Sequence, residues 1–204
     1  MKDKSKPSSK ISSMESYKLV AQELGEVRVK FDEELKYQLN SGSVANAQCF
    51  YIATTVKELI TALNLAKELN IPFFVFGSGT KVLISEDLEG LTIKNRTSGI
   101  KVSGVKGKVS VKGIGVAEAM VEIESGVSLQ KVNEFLKDQS LKQFTFPLIP
   151  NATVGGSLFV TPDLQDLAQK VKVWSDGEVS DIEVYELKRN DIILSIIIKV
   201  KAAD

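Results

Sequence analysis

Two short glycine-containing loops carry the residue types that can bind a phosphate group. The first loop is Gly77-Ser78-Gly79-Thr80-Lys81-Val82, and it directly follows an apolar run. The second loop, about 70 residues later, is Pro150-Asn151-Ala152-Thr153-Val154-Gly155-Gly156. Glycine lets a ligand approach the backbone closely, and consecutive amide N–H groups with Ser and Thr hydroxyls can donate to one anion. Together the two loops predict a site for a long ligand that carries a diphosphate.

The first loop follows neither of two common phosphate-binding patterns. A P-loop needs Gly-Lys before Ser or Thr, whereas this loop has Thr80 before Lys81. The dinucleotide fingerprint needs a third glycine and a following helix, whereas Val82 occupies that position and the run 81–85 favours a strand. A tight turn between two strands remains an alternative interpretation of this loop, and Lys81 could either neutralise a phosphate or simply be exposed.

Composition excludes several classes of function. Lys and Arg number 26 and Asp and Glu number 26, so the net charge is zero and nothing favours a nucleic-acid partner. The chain has no histidine, which excludes a Ser-His-Asp triad, His-ligated zinc and a histidyl-linked flavin. Its one cysteine, Cys49, lies in an apolar run and is predicted to be buried. No run is long enough to span a membrane, so we predict a cytoplasmic protein without a membrane partner.

Apolar periodicity predicts an α+β fold with two lobes. A βαβ unit with helix 56–70 forms the small lobe, and the larger lobe combines an antiparallel sheet with flanking helices. The larger lobe is predicted to contain a hairpin turning at Lys106-Gly107-Lys108, a helix capped by Ser128 and a second hairpin at Asp176-Gly177. Residues 144–160 are predicted to be irregular, because they hold two prolines and Gly-Gly. The predicted divisions are a disordered tail 1–15, a helical and extended segment 16–46, and lobes 47–98 and 99–204.

Four stretches in order resemble a known family. FVFGSGTKVLIS, VEIESGVSLQKV, FPLIPNATVGG and IILSIIIKV are similar to the FAD-binding domain of the UDP-N-acetylenolpyruvoylglucosamine reductases and of the vanillyl-alcohol-oxidase/p-cresol-methylhydroxylase (PCMH-type) flavoproteins. The resemblance covers about residues 44–200. It implies non-covalent FAD between two lobes, with the diphosphate held by residues 77–82 and the second loop around the diphosphate and ribityl region. For the reductases it also implies peptidoglycan biosynthesis.

The chain also departs from the reductase pattern. Their Lys-Ile-Gly-Gly corresponds to Ser43-Val44-Ala45-Asn46, their Gly-Ala-Gly to Glu124-Ser125-Gly126, and their Tyr-Arg pair to Tyr185-Glu186. Glu124 would repel a diphosphate if its carboxylate faced the cleft. From the resemblance we expect no counterpart of their third domain, which supplies the substrate site, and a partner protein could then complete such a site.

Two hypotheses follow from these observations. The first is an FAD-binding module that resembles the reductase and is a flavin-dependent oxidoreductase by resemblance only. The second is a degenerate scaffold or interaction protein that has lost flavin. No catalytic residue and no metal ligand is predicted, since Asp163, Asp166 and Glu186 are better explained as loop and cap residues.

Overall fold

A computed structural model describes residues 13–39, 45–80, 82–110 and 113–203 and contains two β-sheets with helices packed against them. The helices are α1 (Ser13–Leu24), α2 (Val56–Glu68), α3 (Leu129–Asp138), α4 (Val154–Leu158) and α5 (Pro162–Leu167). The strands are β1 (Val29–Glu34), β2 (Asn46–Ala53), β3 (Phe73–Phe76), β4 (Leu88–Asn95), β5 (Ile100–Ser110), β6 (Gly113–Glu124), β7 (Ala168–Ser175), β8 (Glu178–Ile182) and β9 (Ile192–Lys201). Within this described part, no helix is long and apolar enough to cross a membrane.

The first sheet has the order β1-β2-β4-β3, in which β2 and β3 run parallel to β4 and β1 runs antiparallel to β2. Its α2 begins where the Thr55 hydroxyl accepts a hydrogen bond from the Glu58 amide, as the Thr-x-x-Glu pattern predicts. One face of the sheet packs on α1 and α2 through Cys49, Leu91 and other apolar residues. The opposite face carries a smaller apolar cluster that includes Leu35, Leu39, Phe50, Phe76 and Ile84.

The second sheet has the order β5-β6-β9-β7-β8, and its neighbouring strands are all antiparallel. Helix α3 begins at Ser128, whose hydroxyl accepts from the Lys131 amide, as predicted. The β7–β8 hairpin turns at Asp176-Gly177, where both residues have a positive φ. A two-residue turn of this kind matches the twist of the flanking strands, which is why Asp-Gly predicts it correctly.

Three local predictions are wrong. Residues 82–85 form no strand, because Val82 and Ile84 pack into the cluster beneath the first sheet without pairing to a neighbouring strand. The β5–β6 hairpin does not turn at Lys106-Gly107-Lys108: β5 continues to residue 110, and the register shifts at Lys106/Gly107 where glycine permits a bulge. Residues 154–158 of the supposedly irregular stretch form the short helix α4.

The predicted N-terminal segments, 1–15 and 16–46, can be compared with the structure in part. Helix α1 starts at Ser13, so residues 13–15 of the predicted tail are helical, and residues 1–12 lie outside the described residues. The segment that follows contributes β1 to the edge of the first sheet.

The two sheets are also joined near the start of β3, whereas the first glycine loop follows the end of that strand. Trp174 on β7 is buried, packs edge-on against Phe73 of β3 at 5.6 Å between ring centroids, and donates its indole N–H to Asn64 Oδ1 at 2.7 Å. Lys67 on α2 forms an ion pair with Asp176 at 2.7 Å between Nζ and Oδ1. The structure therefore places Trp174 in packing between the sheets.

Candidate functional site

The carboxyl ends of the three parallel strands of the first sheet meet at one edge, and a cleft of about 990 Å³ lies there. Such an edge favours ligands, because backbone N–H groups and loop side chains point away from the sheet at that position. The first sheet and its loops line one side of the cleft, and the segment after β6, helix α3 and the second glycine loop line the other. The lining residues are Arg28, Lys30, Tyr37, Gln38, Phe50, Ile52, Thr54, Gly77, Ser78, Lys94, Arg96, Thr97, Ser98, Gly126, Val127, Ser128, Lys131, Asn151 and Thr153.

The two glycine loops predicted from the sequence approach each other at this cleft. A Cβ atom added to Gly77 would lie 2.3 Å from Thr153 Oγ1 and 2.8 Å from Thr153 Cγ2. Only glycine fits at that distance, so the absent side chain lets the first loop contact the second. Gly77, Ser78, Asn151 and Thr153 are the predicted site residues that line the cleft.

The other predicted residues of the first loop support it rather than line the cleft. Gly79 has φ +71°, and a Cβ there would lie 2.3 Å from Leu39 Cδ2, so this glycine is required by the backbone and its packing. The Thr80 and Ser78 hydroxyls are hydrogen-bonded to each other at 2.7 Å. Val82 packs into the apolar cluster beneath the sheet. Lys81 lies outside the described residues.

The second loop is anchored to the segment between β6 and α3. Pro150 and Asn151 occupy a tight turn closed by the Ala152 amide, which donates to the Ile149 carbonyl at 3.0 Å, with Asn151 at φ 60°. The Val154 and Gly155 amides donate to the carbonyls of Val127 and Ser125 at 2.8 and 2.9 Å. Ala152 and Val154 are buried, and Gly156 is exposed on α4. These amides are used within the protein, so Asn151 and Thr153 are the residues of this loop that face the cleft.

A third contact, which the sequence did not suggest, joins the end of β4 to the end of β6. The Asn95 side chain donates to Ser125 Oγ at 2.8 Å, and the Gly126 amide donates to Thr97 Oγ1 at 3.1 Å. A Cβ on Gly126 would lie 2.6 Å from both the backbone N and O of Thr97. The two sheets therefore meet backbone to backbone at the floor of the cleft.

The charged residues of the cleft are all cationic among the residues that the structure describes. Arg28, Lys30, Lys94, Arg96 and Lys131 line it, and no Asp or Glu is among the lining residues. Two of these cations are paired with carboxylates outside the lining, Arg28 with Glu58 and Lys30 with Glu33. Although the net charge of the chain is zero, this surface concentrates positive charge in a concave site, which favours an anionic ligand.

Lys94 is the most enclosed of these cations. Its Nζ donates to the Gln38 carbonyl at 2.7 Å and to Gln38 Oε1 at 3.3 Å, and it lies 6.0 Å from the centroid of the Phe76 ring. Burial, followed by the charge of Arg96, lowers the pKa of Lys94. Both causes disfavour the ammonium form, so an anion beside Lys94 would stabilise it.

Arg28 has a different role, because a carboxylate already holds it. Its guanidinium donates to Glu58 Oε1 at 2.7 Å and to the Ile52 carbonyl at 3.2 Å, and it lies 5.0 Å from the centroid of the Tyr51 ring. Arg28, followed by hydrogen bonds from Thr54, lowers the pKa of Glu58 to about 2. This ion pair stabilises the start of α2 at the rim of the cleft.

Glu124 does not oppose an anion in the cleft. Its Oε2 accepts a hydrogen bond from the Gly99 amide at 2.8 Å, and the residue is not among those that line the cleft. Ala45 is buried, and the Asn46 amide donates to Asp87 Oδ1 at 2.7 Å, so these two departures from the reductase pattern lie in the supporting structure. The charge conflict predicted for Glu124 is therefore absent from the described cleft.

Several other candidates lie away from the cleft. Asp163 and Asp166 border a separate groove, and Glu186 accepts from the Glu183 amide in a short 3₁₀ turn, as expected of loop and cap residues. Cys49 is fully buried, and burial raises its thiol pKa to about 12. The described residues contain no cluster of His, Cys, Asp or Glu that could hold a metal ion.

Sequence reasoning missed Lys94 and Arg96, although a signal was available. Both follow the apolar run of β4 at alternating positions, so they share one face at the carboxyl end of a strand adjacent to the glycine loop.

The residues of the cleft fit a ligand with a diphosphate group. The close approach of Gly77 to Thr153 brings the two loops together at the cleft. Ser78, Ser98 and Thr153 offer hydroxyl donors there, and the cations supply compensating charge. Apolar surface from Phe50, Ile52 and Val127 borders the same cleft.

Comparison with known proteins agrees with this chemistry. The chain is 25% identical over 184 residues to the UDP-N-acetylenolpyruvoylglucosamine reductase of Alkaliphilus oremlandii (strain OhILAs), a match that covers 87% of this chain and 57% of that relative. The chain thus spans little more than half the length of this relative.

Solved structures share the fold. The UDP-N-acetylenolpyruvylglucosamine reductase from Thermus caldophilus superposes with a TM-score of 0.61 at 16% identity, covering 86% of this chain and 62% of that one. p-Cresol methylhydroxylase with substrate bound superposes with a TM-score of 0.61 at 14% identity, covering 93% of this chain and 43% of that one. The predicted α+β, PCMH-type fold is confirmed.

A family model described as "FAD binding domain" matches residues 47–160. This range starts just inside β2, ends just beyond α4 and contains both glycine loops and all of β4. Since it covers more than half of the chain, the chain belongs to the FAD binding domain family.

Proposed function

We propose that this chain binds FAD non-covalently in the cleft between the two sheets. The observation that carries the proposal is the convergence of Gly77 and Thr153 beside a surface whose charged residues are all cationic. In this arrangement the loop residues Ser78, Asn151 and Thr153 and the nearby cations bind the diphosphate. Bound FAD would supply redox chemistry that amino-acid side chains lack, while the protein positions it.

The residues present disfavour the histidyl and cysteinyl modes of covalent flavin attachment, which leaves the phenol of Tyr37 as the exposed nucleophile that lines the cleft. Histidine is absent from the sequence, and the thiol of Cys49 is fully buried with its pKa raised to about 12, so it is neither accessible nor ionised at neutral pH. After FAD binds and the protein is denatured, we expect the flavin to pass through a filter that retains the polypeptide. Flavin that stays with the denatured chain would contradict this mode.

The main experiment compares two charge reversals on the same helix. Lys131 and Lys137 are both exposed on α3, but Lys131 lines the cleft and Lys137 does not. We expect Lys131→Glu to weaken FAD binding about tenfold, equivalent to about 1.4 kcal/mol, and Lys137→Glu to leave it unchanged. Fluorescence titration of FAD into the purified protein gives both affinities.

The two substitutions also differ in their effect on the helix itself. An acidic residue in the first turn is favourable to the helix dipole, whereas one in the last turn is unfavourable. A loss of affinity in Lys131→Glu therefore does not come from a weakened helix. Equal affinities for the two variants would mean that the diphosphate does not bind beside Lys131. A wild-type protein with no affinity for FAD would contradict the proposed function and favour the scaffold hypothesis.

The activity named for the reductase relatives is not assigned to this chain by the proposal. Enzymatic turnover, a substrate and a partner protein that completes a substrate site would each need a separate assay. Oxidation of NADPH by the FAD-loaded chain with the enolpyruvyl sugar nucleotide is the first such assay, and we expect no turnover from this chain alone.

A further inference from the structure

Lys94 and Arg96 form a pair of like charges on one face of the cleft. They are two residues apart at the carboxyl end of β4, so their side chains leave the strand on the same side. Lys94 is half-buried and Arg96 is exposed, and both line the cleft. Within the described chain no carboxylate forms an ion pair with Lys94, whose Nζ instead donates to two oxygens of Gln38.

A half-buried ammonium group beside another cation is costly in the free protein. Burial removes water from the charge, and the neutral oxygens of Gln38 replace only part of that solvation. Such an arrangement is relieved when an anion enters the cleft, because the anion attracts both cations at once.

We propose that Lys94, together with Arg96, binds the negatively charged diphosphate of the ligand directly, and that binding requires Lys94 to be protonated. This inference rests on the proposed function, because it assigns a role to a residue of the same cleft. It adds that the affinity for the diphosphate ligand depends on the protonation of Lys94.

The direction of the coupling follows from the groups around Lys94. In the free protein burial and Arg96 lower the pKa of Lys94, and a bound anion raises it again. Affinity must therefore fall as the pH rises through the free-protein pKa of Lys94, by up to tenfold for each pH unit. Gln38 and Phe76 pack on Lys94 from neighbouring elements and carry no charge. The Gln38 side chain in turn donates to Glu33 Oε1 at 2.8 Å, and Glu33 is also paired with Lys30. The other charged or titratable groups of the cleft are Arg28, Lys30, Tyr37 and Lys131.

ADP is the probe for the pH series, since it carries a diphosphate but lacks the flavin ring, which itself titrates at alkaline pH. We expect ADP affinity of the wild-type protein, measured by calorimetry from pH 7 to 10, to fall in the alkaline range. Lys94→Met should lower affinity at pH 7 about tenfold or more and abolish the alkaline fall. Lys94→Arg should retain binding at pH 7 and at alkaline pH, because guanidinium stays protonated throughout.

Two further measurements separate this coupling from a structural effect. Lys137→Met is the matched control outside the cleft, and its pH profile should follow the wild type. The melting temperature of ligand-free Lys94→Met should equal or exceed that of the wild type, because a costly half-buried charge is removed. A variant that loses affinity only because it unfolds would instead melt at a lower temperature.

The outcomes distinguish this inference from the proposed function. If FAD and ADP bind and Lys94→Met keeps both the affinity and the alkaline fall, the inference is overturned while the proposed function stands. If FAD does not bind, the proposed function fails, and inorganic pyrophosphate tests the pair directly. A wild-type melting temperature raised by pyrophosphate but unchanged in Lys94→Met then supports the role of Lys94, and no rise in the wild type overturns it.

Discussion

Individual cations of the cleft differ because their neighbours differ. The guanidinium of Arg28 donates to Glu58 and to the Ile52 carbonyl, so it stabilises the rim of the cleft. Arg96 is exposed at the end of β4, and Lys94 beside it is half-buried against Gln38. Composition alone could not reveal this, since 26 basic and 26 acidic residues cancel in the total while their positions do not. The role of each cation depends on which carboxylates the fold brings near it.

The Arg28–Glu58 pair predicts a pH-dependent contribution to stability. The pKa of Glu58 falls from 4.5 to about 2 on folding, so its contribution is present above pH 4.5 and is lost as the pH falls toward 2. Because both side chains are partly exposed, with 27% exposure for Glu58 and 43% for Arg28, we expect Glu58→Gln to cost only about 1 kcal/mol at pH 7. Urea unfolding at pH 7 and pH 3 measures the difference, which should be much smaller at pH 3.

Glu68→Gln is the control for this measurement, because Glu68 lies at the other end of the same helix. It should leave stability nearly unchanged at both pH values. A Glu58→Gln penalty that is the same at pH 3 and pH 7 would show that the carboxylate charge is not what stabilises the start of α2.

Secondary-structure elements with strong local signals are predictable from this sequence, and those that depend on distant contacts are not. Helix α2 has an apolar stripe and a Thr55 cap, and the Asp176-Gly177 turn needs its own residue types, so both follow from local rules. The run 82–85 has the composition of a strand but packs against the cluster around Leu35 and Leu39 without a pairing partner. Strand formation there is decided by whether a neighbouring edge is available, which local composition does not encode.

The same distinction applies to the site. The glycine loops were identified because glycine beside Ser and Thr is a local pattern, and Gly77, Ser78, Asn151 and Thr153 do line the cleft. That Gly79 is required by Leu39 could not be predicted, because the two residues are 40 positions apart and meet only in the folded chain. The sequence therefore locates the loops, and the fold decides which of their residues can contact a ligand.

The contact between the loops predicts a specific pairwise effect. Gly77→Ala should destabilise the protein by about 1–3 kcal/mol, because the added Cβ overlaps Thr153 Oγ1 and Cγ2. Thr153→Ala removes both atoms and should recover part of that loss in the double variant. A double-mutant cycle from urea unfolding should give a coupling of about 0.5–3 kcal/mol.

Gly115→Ala provides the matched control for an added methyl group, because no described atom lies within 4 Å of a Cβ at that position. It should change stability by less than Gly77→Ala. Additive effects of Gly77→Ala and Thr153→Ala would mean that the two loops are not in contact in solution.

The whole molecule is held together at both ends of the boundary between its sheets. The cleft end is joined by Asn95 to Ser125 and by Gly126 to Thr97, and the other end by Trp174 with Asn64 and Phe73. Apolar residues of the second sheet, Trp174 and Leu194, also belong to the core under α1 and α2 of the first sheet. A shared core of this kind favours unfolding as one cooperative unit.

Trp174 is the single tryptophan and therefore reports this docking directly. We expect the urea transition followed by tryptophan fluorescence to coincide with the transition followed by far-ultraviolet circular dichroism. Trp174→Phe keeps an aromatic ring but loses the hydrogen bond to Asn64, and should lower stability by about 1 kcal/mol in the dichroism assay. A fluorescence transition at lower urea than the dichroism transition would show that the sheets separate before they unfold.

The backbone contact between Gly126 and Thr97 has a consequence for inheritance and for protein engineering. A side chain at position 126 would collide with main-chain atoms of residue 97, so no replacement at position 97 can compensate for one. Glycine is therefore required at position 126 whatever residue stands at position 97, about 30 residues earlier in the chain, and selection should remove any other residue at position 126. A chimera that exchanges the end of β4 with a relative keeps this close approach as long as Gly126 is kept, whereas the side-chain hydrogen bond between Asn95 and Ser125 is kept only if both of those residues are carried together.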